Sequence, residues 1–193
     1  MVCNVIDIFL KLKNKIRDNF MVYCWYKYTL GHLGAKSYIK PGVKLIGNSM
    51  RIKIGDSFKI WHNCVLSVSK KGEINIADNG LIAVGCFLSA GNNKIIIGKG
   101  VAVAPHCNIV AYSHYYGYNK RFIDCYDKGD IIIGDNVLIG AAVTILPNVT
   151  VGNNCVIAAG CVVNKDVPDN TVVGGIPMKI IKKITSDVKI SGI

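Results

Sequence analysis

Between residues 131 and 168 an aliphatic side chain falls on every sixth position: Ile133, Ile139, Ile145, Val151, Ile157 and Val163. Four residues after each comes a second small or branched apolar group, Val137, Val143, Val149, Cys155, Cys161 and Val167. The positions between are mostly Gly, Asn, Asp, Ala and Thr, which favour tight turning. A helix would carry every sixth residue round its surface and leave no continuous apolar face, and a plain strand repeats at two. Short strands separated by corners satisfy the period, each unit turning one aliphatic side chain inward and one small group into the corner. Units of this size cannot bury a core alone, so the pattern predicts stacked coils of a parallel β-helix, about 4.8 Å apart.

Upstream the same beat runs through Ile39 and Leu45, resets to Ile54, Ile60 and Leu66, then to Ile76, Ile82 and Leu88, and then to Ile97, Val103 and Ile109. Groups of three predict three units per coil and a triangular prism, and seventeen units amount to five to six coils. Resets at Lys70-Lys71-Gly72 and Gly91-Asn92-Asn93 read as surface loops. The largest interruption, residues 115–130, mixes aromatics with both charge signs, and a long loop on a rigid scaffold is where recognition often sits.

Residues 1 to 30 lack the period. Ile6, Phe9, Leu10, Ile16 and Phe20 give a loosely helical apolar face with Lys11, Lys13, Lys15 and Arg17 among it. This predicts a helical cap over residues 1–36 that covers the open end of the stack; the alternative is a basic amphipathic segment resting on an anionic membrane surface. The repeat domain spans residues 37–184, with a short C-terminal extension after Pro168 and a frayed tail over 185–193.

Composition sharpens this picture. Apolar residues are 51% of the 193, yet no stretch approaches the eighteen or more needed to span a membrane, and no signal peptide is expected. Five of the eight cysteines, Cys64, Cys86, Cys107, Cys155 and Cys161, sit four residues after a repeat aliphatic, so they read as free buried thiols in a reducing cytoplasm. The net charge of +11 is compatible with nucleic acid, an anionic membrane surface or a phosphate-rich cofactor or substrate. Its basic clusters are not interleaved with aromatics as a base-stacking platform requires, so nucleic acid is not an expected partner.

Chemistry centres on the histidines. His114 closes the last unit before the long interruption, in Ile109-Val110-Ala111-Tyr112-Ser113-His114, where its side chain can project from a prism edge. Imidazole suits the removal of a hydroxyl proton near neutral pH. His62 and His106 fall at turn positions of their units and read as exposed. A metal site built from His62, His106 and His114 would need ligands in register on different coils, and the last two lie two units apart, so no metal is expected.

The run Ile133-Gly134-Asp135-Asn136-Val137-Leu138-Ile139-Gly140-Ala141 through Gly174-Gly175-Ile176-Pro177 resembles the acetyl-CoA-binding end of the hexapeptide-repeat acyltransferases. These are left-handed β-helix enzymes that include maltose, galactoside and polysaccharide O-acetyltransferases. The resemblance covers residues 37–184 and is most specific after residue 97. It implies a left-handed coil, a homotrimer with active sites between subunits, and acetyl-CoA as acyl donor. His114 matches the family's catalytic base, and Ala141, Ala159, Asn164, Lys165, Lys179 and Lys182 match positions that hold the pantetheine arm and the phosphates of CoA. Leu138 stands where members often carry Trp, and the acidic acceptor contacts of the maltose type have no secure counterpart. The Tyr-rich interruption ending in Lys128-Gly129-Asp130 is more similar to enzymes that acetylate capsule or lipopolysaccharide sugars. The implied function is acetyl-CoA-dependent O-acetylation of a bacterial surface-polysaccharide sugar, in the cytoplasm or at the inner face of the membrane. N-acetylation of an amino sugar, acetylation of serine or an antibiotic, and a non-enzymatic scaffold are the alternatives.

Overall fold

The computed structural model describes residues 21–185. Three parallel sheets form the walls of a prism. The first runs through six strands from His32–Leu33 to Thr150–Val151. The second runs from Tyr38–Ile39 through Val156–Ile157 to Thr171–Gly174, and the third from Lys44–Gly47 to Val162–Val163. The chain visits the walls in that order, so each circuit is one coil of a parallel β-helix, the left-handed type that the family resemblance implies. Ile133 pairs with Val151, Ile139 with Ile157 and Ile145 with Val163, which makes three six-residue units per coil.

Six coils are complete. Leu33 supplies an inward side chain six residues before Ile39, so the stack starts one unit ahead of the first regular signal in the sequence. A seventh coil begins where Val167 bridges Val151 and Thr171–Gly174 joins the second wall; Lys179–Lys183 then returns antiparallel along its edge. Apart from Leu45, which is half-buried in the first coil, the repeat aliphatics are buried in one continuous core, each contributing about 1.5–3 kcal/mol.

Corners explain the polar spacers. At the corner between the second and third walls, Gly42, Asn63, Gly85, His106, Ala142 and Gly160 all take positive φ. Cys64, Cys86, Cys107 and Cys161 fill that corner from inside, and the Cys64 thiol donates to the Ala83 carbonyl at 3.0 Å. Between the first and second walls, side-chain oxygens take the backbone N–H groups that the turns leave over: Lys99 N–H donates to Asp135 Oδ1 at 2.7 Å, and Asp135 N–H to Asn153 Oδ1 at 2.8 Å. Asn136, Asn154 and Asn170 continue as an amide ladder alongside.

Residues 21–29 are helical. Tyr26 and Leu30 turn into the core, and the Tyr26 hydroxyl donates to the Val43 carbonyl at 2.9 Å, so this helix covers the first coil. The amphipathic stretch over residues 6–20 and the tail over 186–193 lie outside the described residues. Among the described residues no helix is long and apolar enough to cross a membrane.

Candidate active site

The interruption leaves the corner between the third and first walls, after Asn108–Val110 and before Ile131–Ile133. It is a β-hairpin. Tyr112–His114 pairs antiparallel with Tyr126–Lys128, placing Tyr112 opposite Lys128, Ser113 opposite Asp127 and His114 opposite Tyr126. Because strand side chains alternate, Tyr112, His114, Tyr126 and Lys128 share one face, and Ser113 and Asp127 the other. Both roots are pinned to the coil below: Asn93 Nδ2 donates to the Ala111 carbonyl at 2.7 Å, and Lys94 N–H donates to Asp130 Oδ1 at 2.8 Å.

Beyond the paired strands the loop closes on itself. Tyr115 N–H donates to the Cys125 carbonyl at 3.2 Å, and the Cys125 side chain is buried against Gly117. The one-turn 3-10 helix Phe122–Asp124 then brings the Phe122 carbonyl within 3.0 Å of His114 Nδ1. A carbonyl can only accept, so Nδ1 carries the hydrogen and Nε2 presents a lone pair. The Tyr126 ring lies 4.3 Å from the imidazole and the Phe122 ring meets it edge-on at 6.0 Å, which restricts its rotation. His114 itself is exposed. This arrangement can take a proton from a hydroxyl delivered to Nε2.

Beside it, between the hairpin and the corner of the third wall, lies a cleft of about 450 Å³. Tyr112, Tyr126 and Lys128 form its hairpin side. Ser67, Ser69 and Ser89, with Asn92 and Asn93, form the other. Tyr112 and Ser89 join their hydroxyls across its floor at 3.2 Å. Tyr126 both lines the cleft and stacks on His114, so the two features are continuous.

The residues matched to CoA contacts fall at three places. Ala141 and Ala159 stack at the corner between the second and third walls, with Gly160 N–H donating to the Ala141 carbonyl at 2.8 Å, and both are exposed. Lys179 and Lys182 are exposed on the edge strand of the second wall. Asn164 and Lys165 sit at the hairpin's corner, later in the stack. The third wall therefore separates Ala141 and Ala159 from His114. His62 and His106 are exposed at the Ala141 corner, where the His62 Nδ1 lies 2.9 Å from the Pro41 carbonyl and the His106 ring covers Gly85. They do not converge with His114.

The roles open to Phe122, Tyr126 and Lys128 were not legible in the chain, which shows only an irregular polar and aromatic stretch there. Two aromatics and a lysine at alternating positions become a face only once the hairpin register sets them opposite Tyr112 and His114.

Residues 130–165 match the family described as bacterial transferase hexapeptide, six repeats. A stretch of 102 residues is 51% identical to the sophorolipid acetyltransferase of Starmerella bombicola, covering 53% of this chain and 39% of that one. The chain spans less than half the length of the curated relatives it matches. Among solved structures, a hexapeptide-repeat-containing acetyltransferase of Vibrio cholerae O1 biovar eltor, complexed with acetyl coenzyme A, is 31% identical over 85% of this chain and 76% of its own, with a TM-score of 0.58. A maltose O-acetyltransferase of Clostridium difficile 630 is 27% identical, with 83% and 73% of the chains covered and a TM-score of 0.55.

Proposed function

Because this chain belongs to the hexapeptide-repeat acyltransferases, we propose that it transfers the acetyl group of acetyl-CoA to a sugar hydroxyl, as a step in building a bacterial surface polysaccharide. The observation that carries this is His114, which is exposed, has Nδ1 committed to the Phe122 carbonyl, and lies against Tyr126, a residue that lines the cleft. The acceptor hydroxyl gives its proton to Nε2 as its oxygen attacks the thioester carbonyl. A backbone N–H or a bound water steadies the tetrahedral oxyanion. Collapse expels the CoA thiolate, which takes the proton back from the imidazolium, leaving an acetyl ester and free CoA thiol.

On the donor side, Ala141 and Ala159 leave a corner open to the pantetheine arm, and Lys165, Lys179 and Lys182 offer point charges to CoA phosphates. Within one prism the Ala141 corner and the His114 corner are different edges. This supports a homotrimer in which a donor held along one subunit meets the base of its neighbour. The reaction belongs in the cytoplasm, or at the inner face of the membrane with the N-terminal segment against it.

The test follows CoA thiol release with acetyl-CoA against free, nucleotide-linked and lipid-linked sugars. Turnover yielding a product that mild alkali deacetylates supports O-acetylation. An alkali-stable product would replace it with N-acetylation, and failure to bind acetyl-CoA by calorimetry would overturn acetyl transfer.

A further inference from the structure

The hairpin carries an ammonium group the reaction does not use. Lys128 lies on the same face as His114, diagonally across from it, and lines the 450 Å³ cleft. The ion pairs among the described residues are Lys53 with Glu73, Lys99 with Asp78 and Arg121 with Asp124, and Lys128 belongs to none of them. No carboxylate lines the cleft; its other polar groups are serine, tyrosine and asparagine side chains. The neighbouring Asp127 projects from the opposite face of the hairpin. The cleft therefore has neutral hydrogen-bonding groups and one uncompensated positive charge.

We propose that the acceptor sugar carries an anionic group, phosphate or carboxylate, which Lys128 holds while a hydroxyl of the same sugar reaches His114. This deepens the acetyl-transfer reading and rests on it. An ammonium only donates hydrogen bonds: a neutral sugar hydroxyl can accept one from it, whereas an anion accepts the same bond and adds the attraction of opposite charges. Diagonal neighbours on one face of an antiparallel ribbon stand about 7–8 Å apart, a span that one hexose ring and its substituent bridge. Between these two points lie Tyr112 and Tyr126, whose rings offer the apolar face a sugar ring stacks on, and Asn92 and Asn93 both donate and accept. The net charge of +11 on the chain favours encounter with an anionic acceptor.

The experiment compares glucose 6-phosphate, glucuronate and UDP-glucose with glucose, using wild-type protein, Lys128→Met and Lys128→Arg. The expected result is a wild-type preference for at least one anionic sugar over glucose of about tenfold or more in kcat/KM, carried by KM. Lys128→Met should collapse that ratio towards unity and Lys128→Arg should restore much of it. Which probe is preferred separates a ring carboxylate, a sugar phosphate and a nucleotide diphosphate as the source of the charge. Calorimetric binding of the preferred anionic sugar to His114→Ala, compared with the His114→Ala/Lys128→Met double variant, reads the contact without turnover. Loss of binding only in the double variant supports the contact even if the role of His114 fails. Equal use of glucose and the anionic sugars by the wild type overturns the proposal. So does an intact preference in Lys128→Met, or a loss confined to the KM for acetyl-CoA, which would give the ammonium to the donor.

Discussion

His114 Nδ1 and the carbonyl oxygen of Phe122 lie 3.0 Å apart, so a residue eight positions later in the chain sets which nitrogen of the imidazole is free. His114→Ala removes the proton acceptor and should lower kcat by about 10²–10⁴-fold. His114→Gln, which keeps hydrogen-bonding capacity without a usable base, should be as inactive. Both should bind acetyl-CoA and elute at the wild-type assembly size in gel filtration. Full turnover in either variant would remove His114 from the chemistry.

The imidazole is only as well placed as the hairpin that bears it. Asp130 is exposed, yet its Oδ1 accepts from Lys94 N–H at 2.8 Å and fixes the returning strand to the fourth coil. Asp130→Ala should cost about 1 kcal/mol of stability. Its larger effect should be on kcat, because a base displaced by even one ångström loses its alignment. Asp130→Asn keeps an accepting oxygen and should recover most of the rate. Equal losses in both variants would show that charge, not this bond, is what the position supplies.

How far the chain could be read follows from which physical term decides each part. The prism was legible because a single local rule recurs: Ile133, Ile139 and Ile145 point inward, and Val137 and Val143 fill corners, with no long-range information needed. Its two ends were harder. Leu33 is one unit without a regular run before it, and Val173 follows a shortened turn that breaks the period. His114 was readable as a base beside a long loop, but its orientation depends on cross-strand register and on the 3-10 helix Phe122–Asp124, neither of which has a spacing signature. Ala141 and Ala159 entered by resemblance, and the structure adds that they share a corner that Asn164 and Lys165 do not.

Two neighbours at one corner allow a sign test of backbone strain. Ala142 holds φ at 57°, and one coil later Gly160 holds it at 70°. A side chain in this region costs about 1–2 kcal/mol, while glycine loses about 0.4–1 kcal/mol through the freedom of its unfolded chain. Ala142→Gly should therefore raise stability by roughly 0.5–1 kcal/mol, and Gly160→Ala should lower it by a similar amount. A Cβ on Gly160 would meet nothing within 4 Å, so the second change reports the dihedral rather than a clash. Melting temperatures at fixed protein concentration check both; a shift of the same sign in the two variants would refute the account.

The thiols lining the prism should be chemically silent while it is folded. Cys64, Cys86, Cys155 and Cys161 are buried, whereas Cys24 is partly exposed. A hydrogen bond with Cys107, added to by burial, pushes the Cys86 thiol up to about 11. Cys64 is raised by its hydrogen bond to Cys86 and by burial, and Cys155 and Cys161 by burial. Cys107 moves the other way, lowered by its hydrogen bond with Cys86, yet its side chain is fully buried. Alkylation needs both thiolate and access, so iodoacetamide at pH 8 should label Cys24 in the native protein and spare these five until denaturant is added. The same shifts give the pH sign: the four raised thiols stay protonated when folded, so their contribution is intact below the ordinary thiol range and is lost as pH climbs from there towards their folded values. Stability should then fall on the alkaline side. Peptide mapping that found Cys86 labelled as fast as Cys24 would place that corner of the coil in contact with solvent and defeat the prediction.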